Sequence, residues 1–396
     1  MTNYIPRLMQ PTLKEVLEIF PIATVCGPRQ SGKTTMCRKE FPSLPYLNLE
    51  DMTTRQFAMD DPKGFINQFK QGAIIDEAQL VPELLSQLQV KIDEDRFAGR
   101  AKARYILTGS SNFAFLPSLR QSLAGRTGIL TLLPMSTIEI EGGGFENISA
   151  DTQIIKGGFP GVWIDRQNKH RLILGNYINT YVERDVRKLL EIGDYKKFAT
   201  LLRVCASRIG SELNKSSVAV EIGVSVSTVE RWLSALEASY VIYLLKPWYA
   251  NIGKRLVKTP KLYFYDTGIA CSLLGIHTES QLTGHPLRGS LFENLVINNL
   301  VKWGYNRGLQ EQIYYFRDKV GHEVDIIRES AAGLSAYEVK AGMTYNTDFR
   351  KNIDYLKKLL GEKIVRSGII YNGDVEMKTP DNALINFRKF PHEITV

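Results

Sequence analysis

The chain has 396 residues, 44% of them hydrophobic and 23% charged, which is the make-up of an ordinary soluble globular protein too long for one core. Its formal net charge of +8 leans towards acidic partners such as nucleic acid without requiring one. No apolar run is long enough for a membrane span and the N-terminus lacks an apolar signal region, so no membrane role and a cytoplasmic location are the expectations.

Along the chain, the helical spacing of apolar residues from Leu13 to Phe20 predicts a helix packed on the first strand's domain. Ile22 to Val25 is short, apolar and β-branched, and reads as a buried strand. Next come Gly27, Pro28, Arg29, Gln30, Ser31, Gly32, Lys33, Thr34 and Thr35, which fit G-x-x-x-x-G-K-[ST]. Strand, glycine-rich loop and helix together are the context a phosphate-binding loop needs. Gly27 and Gly32 let the backbone N–H groups turn towards phosphates, and the helix adds its partial positive end. Lys33 is expected on the β- and γ-phosphate oxygens, and Thr34 on Mg²⁺.

Tyr46 to Leu49 reads as a second strand and Gly72 to Asp76 as a third, tipped by Asp76-Glu77. At the end of an apolar strand downstream of such a loop, Asp76 is expected to hold Mg²⁺ and Glu77 to polarise the attacking water. The strand from Arg104 to Thr108 runs into Gly109 to Asn112, where Thr108 or Asn112 is a candidate for orienting that water. Arg126 follows, before the strand Gly128 to Leu133. It is a candidate finger on a neighbouring subunit's nucleotide, with a surface salt bridge the other reading. The four cysteines (Cys26, Cys37, Cys205, Cys271) include no C-x-x-C pair and read as small buried hydrophobes in a reducing compartment.

Gly27–Thr35, Ile74–Gln79, Leu107–Asn112 and Leu123–Arg126 resemble an AAA+ ATPase core. Gly157–Pro160, Tyr181–Val186, Tyr265–Gly268, Phe292–Asn294 and Glu338–Lys340 extend the likeness over nearly the whole chain. The chain is similar to a bacterial and archaeal family of P-loop ATPases whose C-terminal half is a domain of unknown function. The resemblance implies ATP binding and cytoplasmic residence. It also implies a homo-oligomeric ring, a hexamer being the usual size.

Three domains are expected: 1–140 as a parallel α/β P-loop core, 141–275 as a helical and winged-helix middle region, and 276–396 as an α/β domain of restriction-endonuclease type. Gly142-Gly143-Gly144 is the most linker-like spot. In the middle region, Leu172, Ile173, Tyr177, Ile178, Tyr181 and Val182 are placed on one helical face. Gly223 is expected to turn between two helices, with Ser225 or Ser227 capping the second. A strand from Tyr240 to Leu245 completes a winged-helix-like unit, which reads equally as a DNA reader or a protein-docking module.

The last third carries a second set of chemical residues. Glu293 is expected on a helix, Asp325 on one strand, and Glu338 and Lys340 on the next, which is the carboxylate and Glu-x-Lys order of that nuclease fold. Alternation along a strand puts Glu338 and Lys340 on one side. Asp325 and Glu338 are expected to share Mg²⁺, with Lys340 positioning water. Two functions follow. One is a Mg²⁺-dependent ATPase coupled to DNA processing by the nuclease-like domain. The other is an ATPase switch for a protein partner, with that domain inactive and used for docking.

Overall fold

The computed structural model describes residues 4–99, 103–109, 123–165, 168–186, 194–248, 259–377, 379, 383–390 and 392, with 183–186 in backbone only. Asn112 and the neighbouring Ser110, Ser111 and Arg120 lie outside the described residues.

The chain divides into two units, and both take residues from more than one stretch of sequence. The first is residues 1–134 with 238–240 and 304–309. Its sheet has the order β2-β3-β4-β1-β5, from β1 (Ile22–Cys26), β2 (Tyr46–Asn48), β3 (Ile74–Asp76), β4 (Tyr105–Thr108) and β5 (Thr127–Thr131). Every pairing in it is parallel. All five residues of β1 are buried, as a central parallel strand covered on both faces requires. Period-two alternation divides the core between the faces. Ile22, Cys26, Ile75, Tyr105 and Leu107 belong to one apolar cluster, and Ala23, Val25, Ile74 and Ile106 to the other.

The second unit is residues 135–237, 241–303 and 310–396. The helix Thr137–Gly142 lies within it. Thr137 Oγ1 donates to Gln153 Oε1 at 2.7 Å and Asn299 Nδ2 donates to Thr137 Oγ1 at 2.8 Å. The division at Pro134 therefore precedes the triglycine, which ends that helix. The expected parts 141–275 and 276–396 share this unit for a similar reason. Asn294, on the helix Arg288–Asn306, brackets Phe264 of β7 (Lys261–Phe264), accepting from its N–H at 2.9 Å and donating to its carbonyl at 2.8 Å.

Three helices, Tyr195–Ser207, Lys215–Ile222 and Val226–Ala238, precede the antiparallel pair of β6 (Ile242–Leu245) and β7. Gly223 takes the left-handed conformation at φ 73° between the second and third helices, and Ser225 Oγ caps the third by accepting from Thr228 N at 3.1 Å. Val229, Trp232 and Leu233 are buried, with Trp232 edge-on to Phe198. The earlier helix, His170–Tyr177, passes into a π-helix over Ile178–Val186. Its inward stripe is Leu174, Tyr177, Ile178, Tyr181 and Val182, whereas Leu172 is 61% exposed. Leu172 precedes Leu174 by two residues, more than half a turn away on an α-helix, so it cannot share that face.

The C-terminal sheet has the order β12-β11-β10-β9-β8, from β8 (Ile313–Arg317), β9 (Glu323–Ser330), β10 (Gly333–Lys340), β11 (Ile364–Tyr371) and β12 (Ala383–Asn386). β8, β9 and β10 are antiparallel neighbours, while β11 and β12 run parallel to β10. All four cysteines are unbonded and buried. Among the described residues no helix is long and apolar enough to cross a membrane.

Two of the sequence stretches that carry the family likeness dock on each other. Gly158 N donates to Asp266 Oδ2 at 2.7 Å, and Asp266 also caps the helix Thr267–Leu274 through Ile269 N at 3.2 Å. Burial raises the Asp266 carboxyl above its usual range, although Lys302 and these N–H groups pull it down. A β-carbon built at Gly158 overlaps the Met135 carbonyl oxygen and stands 2.9 Å from Met135 N, whereas one at Gly161 meets nothing. Gly158→Ala is expected to destabilise the chain by about 2–4 kcal/mol and Gly161→Ala by no more than about 1 kcal/mol, read by denaturant unfolding. Equal unfolding midpoints for the two variants would show that the junction is not close-packed.

Candidate functional site

The first site forms where β1, β3 and β4 end on the same side of the parallel sheet. The loop after β1 leads into the helix Lys33–Glu40, whose N-terminus at Gly32, φ 93°, carries no side-chain cap. Only glycine adopts that backbone without strain. Gly27, φ 142°, runs so close to Leu132 that a β-carbon would overlap its carbonyl. Lys33, 6% exposed, folds back over its own loop and donates to the carbonyls of Gly27 at 3.0 Å and Pro28 at 2.8 Å. Burial lowers its ammonium from the usual lysine range, with Glu77 and Asp76 opposing.

Asp76 ends β3 with both oxygens engaged. Thr34 Oγ1 donates to its Oδ2 at 2.9 Å, and Tyr46 OH to the same oxygen at 2.8 Å. The Thr108 hydroxyl donates to Oδ1, so Thr108 is tied to the carboxylate. Burial and the hydrogen bond to Asp76 push the Tyr46 hydroxyl above its ordinary range. Glu77 takes a left-handed backbone at φ 54°, and its carboxylate accepts from Gln79 Nε2. A non-glycine residue held there stores strain at the tip of the strand.

These residues fit Mg²⁺-nucleotide. Thr34 and Asp76 are hard oxygen donors already in contact. Ser31 Oγ is fully buried with no hydrogen-bond partner among the described residues. The helix end is uncapped and the lysine is within the loop.

Two contributors have no local sequence signal. Arg7, 4% exposed, donates to the Ser31 carbonyl at 2.6 Å and the Leu133 carbonyl at 2.7 Å, and so braces the loop from behind. Tyr46 is the other. Arg126 precedes β5, whose first residue pairs with Ile22 and whose last pairs with Cys26. It therefore sits at the opposite end of the sheet from the loop. Its guanidinium is bidentate on Asp93, at 2.8 and 2.7 Å, and also donates to the Ala124 carbonyl at 3.1 Å.

The second cluster lies in the second unit and does bring together Glu293, Asp325, Glu338 and Lys340. Its centre is a residue that sequence reasoning missed, Lys261 of β7, 2% exposed. Lys261 Nζ lies 3.0 Å from Glu293, 2.5 Å from Glu323 and 3.8 Å from Asp325. Burial alone would lower this ammonium, but Glu293, Asp325 and Glu323 together raise it above the usual lysine range. Asp325 Oδ2 accepts from Val339 N at 2.8 Å. Glu338 accepts from Lys340 Nζ at 2.6 Å and from Asn352 Nδ2 at 3.2 Å. Burial, then the charge of Asp325, raises the carboxyls of both Glu293 and Glu338.

The expected Mg²⁺ shared by Asp325 and Glu338 does not fit this arrangement, because both Glu338 oxygens and Asp325 Oδ2 already accept from N–H and ammonium donors and Asp325 Oδ1 faces the Lys261 ammonium at 3.8 Å. Among the described residues no group of three or more His, Cys, Asp or Glu is set up to hold a metal ion. The signal for Lys261 was a lysine in the apolar run Leu262-Tyr263-Phe264, on a strand buried throughout.

Comparison with known proteins bears on the region that holds the first site. Residues 20–141 match a family described as an AAA domain, and residues 148–280 and 288–390 match two domain families of unknown function. Uncharacterized proteins of Mycobacterium tuberculosis and Mycobacterium bovis are each 28% identical over 377 residues, covering 94% of this chain and 81% of theirs. Among solved structures, the Walker-type ATPase of Pyrococcus abyssi aligns at 13% identity and a TM-score of 0.45, covering 67% of this chain and 94% of that one. Cdc6p of Pyrobaculum aerophilum aligns at 16% identity and a TM-score of 0.29, covering 70% and 97%. Both likenesses are too loose to bear on function. With its parallel sheet and its loop after β1, the N-terminal region has the parallel α/β core of the P-loop NTPase fold, and it is the region that matches the AAA domain family.

Proposed function

We propose that the chain is a Mg²⁺-dependent ATPase switch that acts on a macromolecular partner, with a C-terminal nuclease-like domain that binds rather than cuts. The observation that carries the ATPase reading is the contact of Thr34 with Asp76, beside Lys33 and at the tip of β3. Bound there, Mg²⁺ would neutralise phosphate charge, held by Thr34 and Asp76. Lys33 would leave the Gly27 and Pro28 carbonyls for the phosphate oxygens. Glu77, on its strained turn, would take the proton of the attacking water.

Arg126 can serve only another copy's nucleotide. Five residue steps from Arg126 to Thr131 put it roughly 16 Å from the loop end of its own sheet. To act it would exchange Asp93 for the neighbour's phosphate, which makes a homo-oligomer the working form. Ring closure and a count of six rest on the AAA+ resemblance.

The second unit favours docking over DNA cleavage. Lys261 and Lys340 hold its carboxylates. The three-helix unit also turns several of its cations inward on itself: Lys215 pairs with Glu230 at 2.9 Å, Arg208 with Glu221 at 2.5 Å, and Lys197 donates to the Gly223 carbonyl at 2.9 Å. A DNA-reading face would keep such cations for phosphates. Arg231 is exposed on the third helix, so DNA stays as the alternative partner.

Lys33→Ala is expected to abolish ATP turnover by removing the phosphate cation. Glu77→Gln is expected to keep ATP affinity while losing turnover. Isothermal titration beside a phosphate-release assay reads both, and wild-type rates in Lys33→Ala would reject the assignment. Arg126→Ala is expected to lower turnover without lowering ATP affinity, and to poison wild-type subunits when mixed with them. Additive activity in the mixture would exclude a role across subunits.

A further inference from the structure

Three carboxylates from two elements converge on one ammonium. Glu293 comes from the helix Arg288–Asn306, and Glu323 and Asp325 from β9, at 3.0, 2.5 and 3.8 Å from Lys261 Nζ. Tyr315 closes a further side, its ring centroid 5.4 Å from the ammonium, and the Tyr263 hydroxyl donates to Glu293. The lysine is not a surface side chain that has wandered in. Its strand is pinned to the helix that carries Glu293, because Asn294 takes both the N–H and the carbonyl of Phe264. The next residue along the helix therefore fixes where Lys261 stands.

From this geometry we infer that Lys261 is the resident cation of the C-terminal carboxylate cluster, taking the place of a divalent metal, and that its removal leaves a site for one among Glu293, Glu323 and Asp325. Lys261 and the Arg317 guanidinium, 3.2 Å from Glu323, set two positive charges against three carboxylates, so loss of the ammonium leaves an excess of negative charge that a dication would offset. An ammonium holds the carboxylates together but has no open coordination position. It cannot lower the pKa of a water or polarise a phosphoryl oxygen as a metal does. The cluster is thus a dormant metal site with an internal counter-ion. This inference rests on the binding-rather-than-cutting reading of the C-terminal domain and is independent of the ATPase.

The test is Mn²⁺ binding by electron paramagnetic resonance, on the full chain without nucleotide. Wild type and Asp325→Asn are expected to bind the same amount of Mn²⁺. Lys261→Met is expected to take up one more, and Lys261→Met combined with Asp325→Asn to lose it again. Lys261→Arg keeps the charge and is expected to gain none. If Lys261→Met is too unstable to isolate alone, Mn²⁺ in the buffer is expected to raise its melting temperature. Mn²⁺ bound to wild type and lost in Asp325→Asn would overturn the inference. So would a Lys261→Met chain that neither takes up Mn²⁺ nor is stabilised by it. Incubation of wild type with DNA and Mn²⁺ separates the two claims. Metal that is lost in Asp325→Asn, bound without cleavage, sinks this inference alone, while cleavage sinks the docking reading as well.

Discussion

A single buried carboxylate organises the first unit. Asp76 is 8% exposed and accepts hydrogen bonds from three hydroxyls, each from a different element: Thr34 from the phosphate-loop helix, Tyr46 from β2 and Thr108 from β4. Burying a carboxylate costs several kcal/mol unless donors replace its water. Those donors arrive only if β2, β3 and β4 are in register and the helix begins at Lys33. The strand order that puts β4 between β3 and β1 is therefore tied to the chemistry at the strand ends. Arg7 adds a second constraint from outside the sheet, holding the loop by the Ser31 carbonyl and the end of the sheet by Leu133.

The second unit settles the same electrostatic problem differently. Its carboxylates are balanced by ammonium groups, Lys261 against Glu293 and Glu323, and Lys340 against Glu338. Removing one member of such a buried pair costs about 3–5 kcal/mol, because the survivor keeps its charge without a partner. Hydroxyl donors leave Asp76 its full negative charge for an incoming cation. Ammonium donors spend the charge of theirs. The two clusters look alike in sequence, as acidic residues at the ends of apolar strands, and differ in what faces them.

That difference marks where the sequence was readable. The loop from Gly27 to Thr35, the Asp76-Glu77 tip, the Gly223 turn and the alternation that puts Glu338 beside Lys340 are all local patterns, and local physics placed them. The apolar strands of the first sheet and β6 were legible for the same reason, each within a residue or two of its observed ends, whereas β7, β11 and β12 were not anticipated. Arg7 and Tyr46 were not legible, and Lys261 showed only as a charge at the head of an apolar run. Each meets its partner across a long stretch of chain, and only the fold brings them together. The single-face reading that included Leu172 failed because an apolar residue two positions from the stripe still counts as apolar in a window average. The triglycine after Glu141 ends a helix here, and the division between the units falls a few residues earlier, at Pro134. Asp266 with Gly157 and Gly158 shows the reverse case. Two stretches that carried only a family likeness in the sequence are a close-packed junction in the structure.

The central claim is that Asp76 is the carboxylate around which a Mg²⁺-nucleotide site is built. The most direct measurement compares ATP turnover across a Mg²⁺ titration in wild type and in Asp76→Asn. Asparagine keeps the size and can accept the Thr34 and Tyr46 hydroxyls at its carbonyl while its amide donates to the Thr108 hydroxyl, but it carries no charge for the ion. Wild-type turnover should rise with Mg²⁺ and saturate, while Asp76→Asn should stay at background at every concentration although its melting temperature remains close to wild type. A Mg²⁺ dependence that is the same in both proteins would contradict the claim.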